Sequence, residues 1–216
     1  MYRRILAAFL LLISHAAAAE HGGVDFSLQL SQADLLLHYD DLDHDANVER
    51  VGVVVFDTTD PYLHYGFLAG SSRLTLDNDP LLAGLSLDGY HAGLALRGGF
   101  GRNPRLDLQA QYLYQDVKDS AADSEVTVTW HEWRAEMLAG LRLGSPLTLV
   151  AGLTYVNLDA QLRITGNDAR TRNMREETGT EKRLGLELNL ENSGRVGLHI
   201  QRGVFDSISL IFARAF

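Results

Sequence analysis

Residues 105–116 read RLDLQAQYLYQD. Leu106, Leu108, Ala110, Tyr112 and Tyr114 share one parity, and Asp107, Gln109, Gln111 and Gln115 share the other. Successive side chains of an extended chain point to opposite sides, so a period of two marks a strand whose faces meet different surroundings. Residues 182–192, KRLGLELNLEN, repeat the pattern with Leu184, Leu186, Leu188 and Leu190 against Gly185, Glu187 and Asn189. In 130–144, WHEWRAEMLAGLRLG, Trp133, Ala135, Met137, Ala139 and Leu141 oppose Glu132, Arg134, Glu136 and Arg142. A 3.6-residue repeat is absent from all three. The chain reads as all-β.

Working outward, the same alternation predicts ten strands near 26–40, 48–56, 62–76, 84–100, 104–117, 126–143, 146–164, 181–191, 194–202 and 207–216. A bulge is expected near Ser31–Gln32, where the apolar phase shifts from Phe26, Leu28 and Leu30 to Leu35, Leu37 and Tyr39. The connections sort by length. DTTDP, GRNP, GSP and NSG are short turns, whereas DLDHDAN, DNDPLLAG, KDSAADSE and TGNDARTRNMREETGT are longer and polar. Short turns at one end and long polar loops at the other describe an antiparallel up-and-down transmembrane β-barrel. Ten strands is the expected count. Eight is the alternative, because the last hairpin, QRGVFDS, is very short.

The first residues, MYRRILAAFLLLISHAAAAE, join two arginines, a short apolar run and four alanines. That is the order of a secretory signal peptide, expected over 1–19, with a single barrel domain over 20–216. Loss of the leader removes Arg3 and Arg4 and no acid, making a chain of net charge −9 more acidic still. An acidic balance argues against nucleic acid as a partner. The chain has no cysteine, which excludes disulfide and thiol chemistry. No later stretch reaches the 18 or so consecutive apolar residues of a membrane-spanning helix.

Aromatic residues give an independent sign. The topology puts Tyr62, Tyr65, Phe67, Phe100 and Phe216 near one rim and Tyr39, Tyr90, Tyr112, Tyr114 and Trp133 near the other. Two girdles about an aliphatic band suit a membrane slab. A soluble barrel would bury its apolar face and have no use for two belts.

With leucines toward lipid, the lumen is expected to receive Asp34, Asp88, Arg97, Asp107, Glu132, Arg134, Glu136, Arg142, Asp159, Arg163 and Glu187, together with His38, His91 and His199. Charges of both signs in so narrow a space should pair, which predicts a plugged lumen rather than an open pore. Strands longer than the 9–11 or so residues that cross a membrane predict a barrel projecting beyond it.

The chain ends SISLIFARAF, with Ile208, Leu210, Phe212 and Phe216 in one row broken by Arg214. This ending resembles the C-terminal assembly signal of bacterial outer-membrane proteins, apart from Arg214. The resemblance implies the barrel assembly machinery and periplasmic chaperones as partners. More narrowly, DFSLQLSQADLLLHYDDLD and GLALRGGFGRNPRLDLQAQYLYQD resemble the YfaZ family of small outer-membrane proteins. That likeness implies a barrel of unassigned activity in the bacterial outer membrane.

Chemistry is sparse. Alternate carboxylates at Asp41, Asp43 and Asp45 would suit a hard cation such as Ca2+, or would simply form a solvated acidic loop. Arg170, Arg172 and Arg175 are candidates for lipopolysaccharide phosphates, or for pairing with Glu176, Glu177 and Glu181. Ser–His pairs such as His64 with Ser72, or His91 with Ser86, belong to no motif, and adjacent Asp43–His44 and His131–Glu132 diverge on a strand. No residue set earns a catalytic role. The expected function is a monomeric membrane barrel with a structural or surface-interaction role, with a narrow channel as the alternative and a membrane-embedded enzyme third.

Overall fold

A computed structural model describes residues 23–39, 42–76, 85–121, 124–166, 169–190 and 193–216. The expected leader and Asp41 lie outside them. Ten strands follow in order: β1 (Val24–Tyr39), β2 (Leu42–Asp57), β3 (Leu63–Leu76), β4 (Ser86–Phe100), β5 (Arg105–Ala121), β6 (Ser124–Arg142), β7 (Leu147–Thr165), β8 (Arg170–Asn189), β9 (Gly194–Arg202) and β10 (Asp206–Ala215). Each pairs antiparallel with its chain neighbour, and β10 pairs with β1 to close the barrel. The seam runs from Asp25 opposite Ala215 to Asp34 opposite Asp206, and the Phe216 N–H donates to the Val24 carbonyl at 2.9 Å. Closure pairs β10 on both sides, with β9 and with β1, which is why an alternating strand can run to the end of the chain.

Two strands start well before the sequence predicts. β2 starts at Leu42 rather than 48, and β8 at Arg170 rather than 181. Most of DLDHDAN and TGNDARTRNMREETGT is therefore strand. The expected bulge at Ser31–Gln32 does not form, since β1 pairs with β2 without interruption from Val24–Asp57 to Tyr39–Leu42. Among the described residues the one register shift is between β7 and β8, at Leu158/Ala160.

The phase change that suggested a bulge has a different cause. On β1, Phe26, Leu28 and Leu30 point outward, and further along the same straight strand Leu35 and Leu37 point inward at 4% and 3% exposure. The apolar face switches sides while the backbone continues. β3 repeats this, with Tyr65 and Phe67 outside near the short-turn end and Leu74 and Leu76 fully inside at the far end. On β6 the outward row is Trp133 to Leu141, but beyond it the apolar residues Val126, Val128 and Trp130 are buried inside. The outward apolar run of β6, and that of β7 from Leu147 to Tyr155, is close to the roughly 9–11 residues of a membrane crossing. Beyond it the outer wall is polar: Asp45, Asn47, Glu49, Arg73, Asp88, Lys118, Thr127, Thr129, Asp159 and Gln161.

The apolar face thus turns outward in one half and inward in the other. In the far half the core gathers Leu35, Leu37, Val48, Leu74, Leu76, Leu87, Val117, Val128, Trp130, Leu158, Leu162, Met174 and Phe205. Burial of this kind contributes roughly 25 cal/mol per Å² of apolar surface. β9 and β10 are only 9 and 10 residues long and do not reach this level. Above their hairpin, β1 and β8 approach each other directly. The barrel is ten-stranded at the short-turn half and walled by eight strands beyond. The hairpin tip turns inward at Gly203, whose φ of +150° suits glycine and whose Cβ, if present, would lie 2.6 Å from the Thr180 carbonyl oxygen. Phe205 follows at 1% exposure and plugs the joint.

Candidate functional site: the barrel lumen

In the short-turn half, the parity opposite the outward leucines lines the lumen with charge beside a small apolar cluster of Val54, Phe56, Leu68, Ala95 and Leu113. Arg50, Arg97, Arg105, Arg134, Arg183 and Arg195 face inward, matched by Asp25, Asp107, Glu132, Glu136, Glu181 and Glu187. Every lumen cation in this set is arginine, whose planar fork serves several carboxylates at once and holds its charge when buried.

The groups form tiers. Nearest the short turns, the Arg97 guanidinium donates to Asp25 at 2.7 Å and lies 3.2 Å from His64 Nδ1. Across the lumen, Arg105 reaches Asp107 at 2.7 Å, while Arg195 and His199 lie 3.4 Å from Glu187. In the next tier Arg183 pairs with Glu136 at 2.7 Å, and the Thr154 hydroxyl donates to the same carboxylate at 3.1 Å. The uppermost tier is the most enclosed. Glu132, 1% exposed, accepts from Arg50 at 2.9 Å and from Arg134, which in turn lies 3.6 Å from Glu181. Arg50 also donates to Gln115 at 2.9 Å, and Glu181 accepts from Gln201 and from the Phe205 N–H at 3.0 Å.

The two guanidiniums of this tier have a second face. Arg50 lies 5.4 Å from the Trp130 ring centre and Arg134 lies 5.0 Å from that of Phe205. Each cation meets carboxylate on one side and an aromatic ring on the other, as cation–π attraction favours. The tier is therefore the boundary between ionic lumen and apolar core. Below it a cavity of about 620 Å³ reaches the short turns at Pro61, Gly101 and Ser193, and the apolar core lies on its far side.

Several sequence expectations need correction. Asp34, Asp88, Asp159 and Arg163 are exposed on the outer wall and are not in the lumen. Each shares parity with outward residues of its own strand: Asp34 with Leu30, Asp88 with Leu94, and Asp159 and Arg163 with Tyr155. The rule of leucine out, charge in fails for them because they lie beyond the inversion. Asp88 pairs with Arg73 at 2.7 Å outside the barrel, and Asp34 accepts from Asn47 at 2.6 Å. Arg97, Asp107, Glu132, Arg134, Glu136 and Glu187 are inward as expected. Arg142 has the inward parity but sits exposed at the mouth without an ion pair among the described residues. Asp25, Arg50, Glu181, Arg183 and Arg195 were missed, although each sits opposite an outward apolar residue of its own strand.

The first acidic cluster is not a loop. Asp43 and Asp45 belong to β2; Asp45 is exposed, while Asp41 and the Asp43 side chain lie outside the described residues. Among the described residues no three His, Asp or Glu side chains form a metal-sized cluster. Arg170 and Arg172 stand at the far end of β8, and the Arg175 side chain lies outside the described set.

One Ser–His pair does form, in a combination the sequence did not suggest. The Ser72 hydroxyl lies 2.8 Å from His91 Nδ1, both residues buried. Gly52 and Gly70 make room for the ring, since a Cβ on either would come within 2.6 Å of it. His91 reaches the cavity wall, but Ser72 does not, and among the described residues no carboxylate is hydrogen-bonded to the imidazole. A nucleophile needs access and its base needs orienting. The pair is a packing contact of the lumen.

No family model matches the chain, and no curated protein sequence does. Solved structures do match. An outer membrane channel from Pseudomonas putida F1 superposes with a TM-score of 0.54 at 10% identity, over 92% of this chain and 97% of that one. The β domain of the Bordetella autotransporter BrkA gives 0.54 at 12% identity, over 91% and 100% of the two chains. The outer membrane protease OmpT from Escherichia coli gives 0.52 at 9% identity, over 92% and 98%. What these proteins share with this chain is the fold, a closed antiparallel β-barrel.

Proposed function

We propose that this chain is an integral protein of the bacterial outer membrane, a non-conducting barrel that carries a folded β-platform on the cell surface. The observation that supports this reading is the switch of apolar parity along continuous strands. A wall apolar outside and ionic inside suits lipid. A wall polar outside and apolar inside suits water on the outside only. The short turns then face the periplasm, the ionic lumen is a vestibule open to that side, and the apolar core blocks passage. The role is structural or interactive, and its polar outer wall is the surface offered to ligands. The YfaZ-like motifs agree with such a protein, and the terminal row Ile208, Leu210, Phe212 and Phe216 serves as the assembly signal read by the barrel machinery.

Two measurements test this. Reconstituted protein should give no steady current across a planar bilayer, and open-channel steps would overturn the blocked lumen. The chain has two tryptophans, Trp130 inside and Trp133 outside at 58% exposure. Brominated lipid should quench Trp133 alone, measured in Trp130→Phe and Trp133→Phe variants. Equal quenching of both would refute the inversion.

A further inference from the structure

One sector of the lumen cavity is lined by small polar groups that the protein leaves uncommitted. Ser27, Gln29 and Ser31 on β1 and Ser207 and Ser209 on β10 all line it. Among the described residues none of these five side chains has a hydrogen-bond partner. The strand register sets them in rows. Arg50 on β2 lies opposite Ser31, Ser31 opposite Ser209, and Ser209 opposite His199 on β9. The row nearer the short turns reads Gly52, Gln29, Ile211 and Gly197, and the next reads Val54, Ser27, Ala213 and Arg195. Serine, glycine and alanine occupy this sector where the rest of the lumen carries long charged side chains. They leave the cavity its volume of about 620 Å³, within the roughly 300–1,000 Å³ of small-molecule sites.

Two other chemistries border the same space. Among the described residues, eight arginines and five carboxylates line the cavity, an excess of three positive charges in a chain of net charge −9. Arg195 touches Glu187 through Nη1 alone, at 3.4 Å, so most of its donors are free. His199, at 3% exposure, has no hydrogen-bond partner at Nδ1 among the described residues. On the other flank Val54, Phe56, Leu68 and Leu113 form an apolar patch of the cavity wall. The Phe56 ring is covered by the Arg97 guanidinium at 4.3 Å, which leaves no open aromatic face for a stacked base.

We infer that this sector binds an acidic monosaccharide, its acid group on Arg195 and its hydroxyls on Ser27, Gln29, Ser31 and Ser209. Arginine offers a planar pair of charge-assisted donors that fits a carboxylate or a phosphate. Serine hydroxyls and the glutamine amide each donate and accept, as sugar hydroxyls do. The apolar patch receives the C–H face of the ring. A fatty acid would leave the hydroxyl ladder unmade at a cost, and a bare phosphate would use neither ladder nor patch. Only the side of entry, the periplasm, rests on the membrane reading above.

The test is calorimetric titration of the full-length protein in detergent with glucuronate, glucose 6-phosphate, glucose and inorganic phosphate. Both acidic sugars should bind one to one, at least about tenfold more tightly than glucose or phosphate. Ser31→Ala/Ser209→Ala should weaken both about tenfold and leave inorganic phosphate unchanged. Gln29→Leu probes the ladder independently and should also weaken both, should the double variant misfold. Arg195→Gln should erase the preference for glucuronate over glucose; Glu187 keeps His199 at 3.4 Å and Arg105 at 4.0 Å, so this change strands no carboxylate. Equal binding of glucuronate and inorganic phosphate overturns the sugar and leaves a plain anion site. Equal binding of glucuronate and glucose overturns the role of the acid group. No heat from either acidic sugar up to about 10 mM overturns the site altogether. If the protein stays in solution without detergent, the membrane reading fails and the binding result stands.

Discussion

Eight strands run through both halves of the barrel with the same alternation, yet the halves are inside-out relative to each other. Near the short turns the lumen is held by Arg50, Glu132, Arg134, Glu136, Arg183 and their neighbours, and the leucines face out. Beyond the Arg50–Glu132–Arg134 tier, Leu74, Leu87, Val128 and Trp130 fill the interior and charges such as Arg73 and Asp88 face out. The comparison teaches that parity alone has no sign. Burial follows the surrounding solvent, and under the proposed function one strand serves lipid along part of its length and water along the rest.

The difference can be broken from the ionic side first. Glu132→Ala should cost about 3–5 kcal/mol of unfolding free energy, because it strands two guanidiniums that the carboxylate now compensates. Urea unfolding in detergent followed by tryptophan fluorescence measures it. A loss below about 1 kcal/mol would mean that water already satisfies the tier and that the boundary carries little energy.

Leu74→Ala attacks the apolar half and should cost about 2–5 kcal/mol there. The expected sign is local: proteolysis of the far ends of the strands at unchanged heat-modifiable mobility. Simultaneous loss of both would show that the halves unfold as one cooperative unit.

A pair of outer-wall substitutions then locates the junction. Leu94→Arg should cost about 2–4 kcal/mol in lipid, since it sets a charge on the apolar band. Thr129→Arg, beyond the inversion, should stay within about 0.5 kcal/mol of wild type. Equal effects at the two positions would erase the difference on which the membrane reading rests.

The smallest expected effect concerns the turn between β2 and β3. The Tyr62 and Leu63 N–H groups donate to Asp60 Oδ1 at 2.7 and 2.9 Å and hold its carboxyl below the usual 3.8. Folding favours the ionised form, so this stabilisation is complete above the unfolded pKa and disappears as pH falls through the lowered folded value. Asp60→Asn should therefore unfold slightly more easily than wild type near neutrality and match it in strong acid. A difference that widens on acidification would contradict the assignment.

Much of this architecture was legible because alternation survives in both environments. The 194–202 strand coincides with β9, 62–76 differs from β3 by one residue at its start, and 207–216 differs from β10 by one residue at each end. The long strand β8 was not legible, because Arg170 to Thr180 alternates weakly and is interrupted by the register shift opposite Asp159. The lumen set was read correctly where leucines are outward, as for Glu132 and Arg134, and incorrectly at Asp34 and Asp159, where the leucine rule had already reversed. Ser72 and His91 lie 19 residues apart on neighbouring strands, and only the β3–β4 register brings them together.

The amino-acid sequence by itself determined that the chain forms alternating strands, that short turns fall at one end, and that the last strand is apolar to its final residue. These are local properties of a chain whose side chains alternate. Only the tertiary structure decided which face looks inward at each height. That choice depends on ten strands closing one level and eight walling the next, and on a tier of arginines placed between carboxylates and aromatic rings. No single strand carries that information, because inside and outside exist only once the barrel has closed.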